Sequence, residues 1–141
     1  MKRKFFITAL LLLVFVVANA QQRPFDPVKF EADLEQFIAT EAGLTPQESS
    51  RFFPVYREMR KKQHAIMSAG WKNKNLDMTS DKACAEAIRI HDNNDVEIKE
   101  LQRAYHNRFL KILPATKVLR IIRAEDKFHR QTFKRAARRD R

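Results

Sequence analysis

Two glycines, Gly43 and Gly70, and five prolines that mostly open helices are the only strong backbone punctuation in this chain. After residue 20 there are almost no alternating apolar and polar runs of the kind that build strands, whereas apolar residues recur at helical intervals. Such a chain has few places to turn and no pattern for pleating. The expectation is an all-α fold of four helices.

The first helix opens at Asp26-Pro27, a capping side chain followed by a proline whose missing N–H is not needed there. Phe30, Leu34, Phe37 and Ile38 then form one apolar stripe, Gly43 supplies a left-handed cap, and Glu31, Asp33, Glu35 and Glu41 make the exposed side acidic. Thr45, Pro46 and Glu48 spell a capping box at the next start. That helix reaches about Lys72 with a seam of Phe52, Tyr56, Met59, Gln63, Ile66 and Gly70, and Pro54 predicts a kink within it. Beside the seam runs a second row, Phe53, Arg57, Arg60, His64, Met67 and Trp71, within about 80° of a helical wheel. Two readings of it stand open: the large apolar groups pack beneath a neighbouring helix, or the row is an exposed adhesive strip for other proteins.

A third helix is expected from near Ser80 to Leu113, with a heptad-like seam of Ala83, Ala87, Ile90, Asn94, Ile98, Leu101, Tyr105 and Ile112. It makes a long antiparallel hairpin with the second, and its length is hard to bury in a compact monomer. The fourth helix starts at Pro114. Val118, Ile121, Ile122, Phe128 and Phe133 form its apolar arc, and Arg120, Arg123, Lys127, Arg130, Lys134 and Arg138 an opposite basic ridge. Like charges at i, i+4 repel. The ridge is therefore a solvated face, a partner for the acidic first helix of its own or another chain, or a surface for acidic clients. Residues 136–141 are expected to fray.

The first twenty residues read as a secretory signal, with Lys2, Arg3 and Lys4 ahead of an apolar run and Ala18-Asn19-Ala20 as the cleavage site. That leaves residues 21–141 as one exported, periplasmic domain not embedded in a membrane. Without the three signal-peptide cations, 25 Lys and Arg face 17 Asp and Glu, a charge of +8 that favours acidic partners. Export argues against nucleic acid. Cys84 is the only cysteine, so no internal disulfide forms; it is an apolar filler or a bridge between two subunits.

No enzymatic activity and no cofactor are expected, because there is no glycine-rich phosphate loop, no H-E-x-x-H and no recognisable nucleophile with its base. Glu125 and His129, at i, i+4, read as a structural pair. The histidines His64, His91, His106 and His129 are dispersed; His91 with Asp92 and Asp95 is the best local cluster, and no metal site is expected.

The export signal, the four helices, the long seam and "LTPQESSRFFPVYREMRKKQ" together resemble the Spy/CpxP family of periplasmic stress proteins, in particular its Bacteroidota-type relatives. Members carry L-T-x-x-Q where helices begin. Here Leu44 and Thr45 keep the first two positions and Glu48 occupies the glutamine's slot; at the second such start, Leu113-Pro114-Ala115-Thr116-Lys117 keeps the leucine. The resemblance implies an all-helical protomer that forms a cradle-like homodimer and binds unfolded or acidic proteins without ATP. On that reading the client-binding residues are Phe53, Arg57, Arg60, Met67, Trp71, Arg120, Arg123, Lys127, Arg130 and Lys134. The alternative is a periplasmic sensor that binds a membrane regulator in a sigma-factor or metal-stress system.

Overall fold

The computed structural model describes residues 26–70 and 76–139. The expected signal at 1–20 and Trp71 lie outside them. Four helices account for the described chain: α1 (Pro27–Ala42), α2 (Pro46–Gly70), α3 (Asp81–Phe109) and α4 (Ala115–Arg139). Among the described residues there is no strand, and the fold is all-α.

Packing divides the chain into two units, Met1–Ala32 and Asp33–Arg141, with the boundary inside α1. In the first, Asp26 Oδ1 accepts from the N–H groups of Val28 and Lys29 at 3.0 and 3.1 Å, the cap that the Asp-Pro pair predicts.

In the second unit each helix end has a local cause. Gly43 sits at φ +63°, Leu44 N–H donates to Ala39 O at 3.0 Å and Gly43 N–H to Thr40 O at 3.2 Å. This paired closure needs a residue that tolerates left-handed backbone. The capping box forms as written: Thr45 N–H donates to Glu48 Oε2 at 2.8 Å and Glu48 N–H to Thr45 Oγ1 at 3.2 Å. α2 then continues through Pro54, which is exposed. Ser80 Oγ caps α3 by accepting from Ala83 N–H at 3.3 Å. α3 ends at Phe109, four residues before Leu113. There the N–H groups of Lys111 and Ile112 reach back only three residues, to Arg108 O and Phe109 O at 3.1 and 2.9 Å, tightening the chain ahead of Pro114. α4 extends to Arg139, so helix reaches into the segment expected to fray.

Successive helices run antiparallel. Phe52 and Tyr56 of α2 meet Phe109 of α3 at 4.8 and 6.5 Å between ring centroids, while Glu58, further along α2, meets Tyr105. α2 and α4 therefore run parallel, and the contacts Glu48 to Lys117 and Tyr56 to Glu125 share an offset of 69 residues. The core is Leu34, Ile38 and Ala42 of α1, Phe52, Phe53, Tyr56 and Met59 of α2, Tyr105 and Phe109 of α3, Leu113, and Val118, Ile121 and Ala124 of α4. All of it lies toward one end of the α2–α3 hairpin. Between Gln63 and Tyr105 no described residue is buried.

The α3 seam is real and differs in one respect from its sequence reading. Phe109, 1% exposed, belongs to it and Ile112 lies beyond the helix, so the intervals from Ala83 to Phe109 are 4, 3, 4, 4, 3, 4 and 4. That is an eleven-residue repeat, about 3.67 residues per turn, which needs no left-handed supercoil to stay in line. Asn94 is half-buried, and Cys84, also half-buried, points its Sγ toward Asp77 O and Met78 O at 3.9 and 3.8 Å.

Candidate functional site

The starts of α2 and α4 come together. Lys117 Nζ donates to Glu48 Oε2 and, at 3.0 Å, to Gly43 O. Glu48 thus completes the capping box and holds the beginning of α4 against the α1–α2 turn with the same carboxylate. The hydrogen bond from Lys117, then that from the Thr45 backbone, hold its pKa below the usual value. Leu44 beside it is half-buried. The two starts form a joint between helices, and Lys117 is the part of it that sequence reading left without a role.

A second joint ties α2 to α3. Tyr105 Oη donates to Glu58 Oε1 at 2.6 Å, Arg108 Nη2 to Glu58 Oε2 at 3.1 Å, and Lys62 Nζ lies 3.2 Å from Oε1. Lys62 and Arg108 also sit over the Tyr105 ring, at 5.4 and 4.6 Å from its centroid. Arg108 first, then Tyr105 and Lys62, pull the Glu58 pKa from 4.5 to about 2. A carboxylate more acidic folded than unfolded contributes stability above the unfolded value and loses it as pH falls toward the folded one. The contribution of Glu58 to the urea midpoint is therefore expected to hold from pH 7 to about 5 and to be lost between about 4.5 and 2. Glu58→Gln should start lower at pH 7 and show a shallower acid limb. Parallel limbs in the two proteins would show that Glu58 is not the group being titrated.

A third carboxylate, Glu125, accepts from Tyr56 Oη at 3.1 Å and lies 3.6 Å from Arg60 and 3.9 Å from His129. Tyr56 and Arg60 thus link α2 to α4, while His129 lies one turn along α4 from the same carboxylate.

Several members of the expected client-binding set are engaged within the chain. Phe53 is 8% exposed, edge-on to Phe52 and Tyr56, because α2 buries a face wide enough to take two neighbouring phenylalanines. It offers no surface to another protein. Arg57 makes a bidentate pair with Glu35, at 2.7 and 2.6 Å, and its pKa is raised by that partner. Arg60 is mostly covered and faces Glu125. Lys127 donates to both oxygens of Glu41, at 3.0 and 2.9 Å, and lies over Phe37, so one member of the basic ridge does meet the acidic first helix of its own chain. Sequence reading singled out none of these pairs, because contacts between residues 22 to 86 apart leave no periodic signal.

Met67, Arg120, Arg123, Arg130 and Lys134 remain exposed, and these four cations form no ion pair among the described residues. Phe133, placed on the apolar arc from sequence, is 77% exposed: α4 turns Val118, Ile121 and Ala124 to the core and leaves Phe133 beyond its edge. Ile88, Val96 and Met78 are also largely exposed. His91 Nδ1 lies 3.5 Å from Asp92 and 3.9 Å from Asp95 on the open side of α3. Among the described residues no group of three or more His, Cys, Asp and Glu side chains could hold a metal ion, and no described helix is long and apolar enough to cross a membrane.

Comparison with family models, curated proteins and solved structures returns no match.

Proposed function

We propose that the chain is an ATP-independent periplasmic chaperone or envelope-stress accessory protein, acting as a homodimer on unfolded or acidic proteins. The observation that supports this most is the uneven core. Between Gln63 and Tyr105 no described side chain is buried, and Met67, Ile88 and Val96 stand open in the same unit as four cations that form no ion pair among the described residues. Apolar groups beside positive charge capture an acidic unfolded segment quickly and hold it loosely, since long-range attraction sets the encounter rate and a small apolar contact lets go. The resemblance of the helix starts to the Spy/CpxP pattern points the same way.

The test is suppression of aggregation by the exported protein with several unrelated unfolding substrates. Suppression is expected at stoichiometric ratios and should weaken in high salt. Arg120, Arg123 and Arg130 changed together to Gln should weaken capture without loss of helicity, since none of the three forms an ion pair among the described residues. No effect on any substrate, together with tight binding to one membrane regulator, would favour the sensor reading instead.

A further inference from the structure

The outward face of α4 carries two kinds of group that seldom share a solvated surface. Leu119 is 50% exposed and Phe133 77%, and the two lie within about 40° on the helical wheel and about 21 Å apart along the axis. Between and beside them stand Arg123, Arg130 and Lys134, all exposed and without an ion pair among the described residues, with Asp126 the one acid on this face of the described helix. The opposite face, Val118, Ile121 and Ala124, is already in the core. The outward face is thus free to meet a partner while the unit stays folded.

We propose that this face docks on an anionic phospholipid surface and holds the protein peripherally at a membrane. A soluble polyanion would neutralise the cations and leave Leu119 and Phe133 in water. A lipid layer takes both, with phosphates level with the cations and the acyl boundary just below them for the two apolar side chains. Each cation near such a surface contributes a similar increment, so attachment is reversible and sensitive to salt. The inference stands apart from client capture: the vesicle experiment contains no client and the aggregation assay contains no lipid.

The experiment is co-sedimentation of the chain as processed by the exporting cell, its N-terminus read by mass spectrometry. Vesicles of roughly one-third phosphatidylglycerol in phosphatidylcholine are compared with phosphatidylcholine alone, at about 0.1 M salt. The chain should pellet with the anionic vesicles and stay in solution with the neutral ones. Changing Arg123, Arg130 and Lys134 to Gln should weaken binding on the order of a hundredfold. Leu119→Ser with Phe133→Ser should weaken it by about tenfold or more, with far-UV circular dichroism unchanged. A Phe133→Trp chain should show an added blue-shifted emission on anionic vesicles only. Three results would overturn the proposal: no pelleting with anionic vesicles, equal pelleting with neutral ones, or a Leu119/Phe133 variant that binds as the parent does while inorganic polyphosphate displaces both completely.

Discussion

Phe109→Ala is expected to lower stability by about 3–5 kcal/mol, a large share of the roughly 5–15 kcal/mol available to a domain of this size. Its ring is 1% exposed and meets Phe52, Tyr56 and Tyr105 at once, so truncation opens a void between α2 and α3. Ile88→Ala, on the same helix but 62% exposed, should change stability by no more than about 0.5 kcal/mol. Urea unfolding of the two variants against the parent measures the contrast. Equal losses would mean that α3 is held along its whole length and that the core is wrongly placed.

The second large effect is expected at the joint between the starts of α2 and α4. Glu48→Lys and Lys117→Glu each put two like charges at a contact whose side chains are 17% and 23% exposed, and Glu48→Lys also removes half of the capping box. Each single change should lower the melting temperature by several degrees. Together they restore opposite charges, and the double variant should recover most of the loss from Lys117→Glu, though not the cap. If the double variant melts at the sum of the two losses, the pair contributes nothing and only the cap matters.

Much of this fold is legible in the sequence. Asp26, Gly43, Thr45 with Glu48, and Ser80 mark helix ends through bonds spanning two to five residues, and the seam of Phe52, Tyr56, Met59 and Gln63 is buried as the periodicity requires. The end of α3 was not legible, because the turn from Leu110 to Leu113 is closed by three-residue bonds that only Pro114 hints at. Of the surface, the exposed cations of α4 could be placed, but not which of them are engaged. Arg57 and Arg123 look alike on a helical wheel. One clasps Glu35 and the other faces solvent, and only the way α1 lies along its neighbours separates them. Gln63 shows the converse: a polar residue on the seam is 5% exposed and its Oε1 has no hydrogen-bond partner among the described residues, a position that apolar pattern alone would have assigned to a hydrocarbon side chain.

The constant offset of 69 between α2 and α4 has a wider meaning. Each helix is 25 residues long and follows an antiparallel predecessor, so the bundle is two hairpins side by side, with matching levels in each. Were the same amino acid present at the head of α2 and of α4, the halves would repel there or be indifferent to exchange. An acid on one and a base on the other gives each hairpin a distinct address, and a first half so labelled pairs with a second half in preference to another first half.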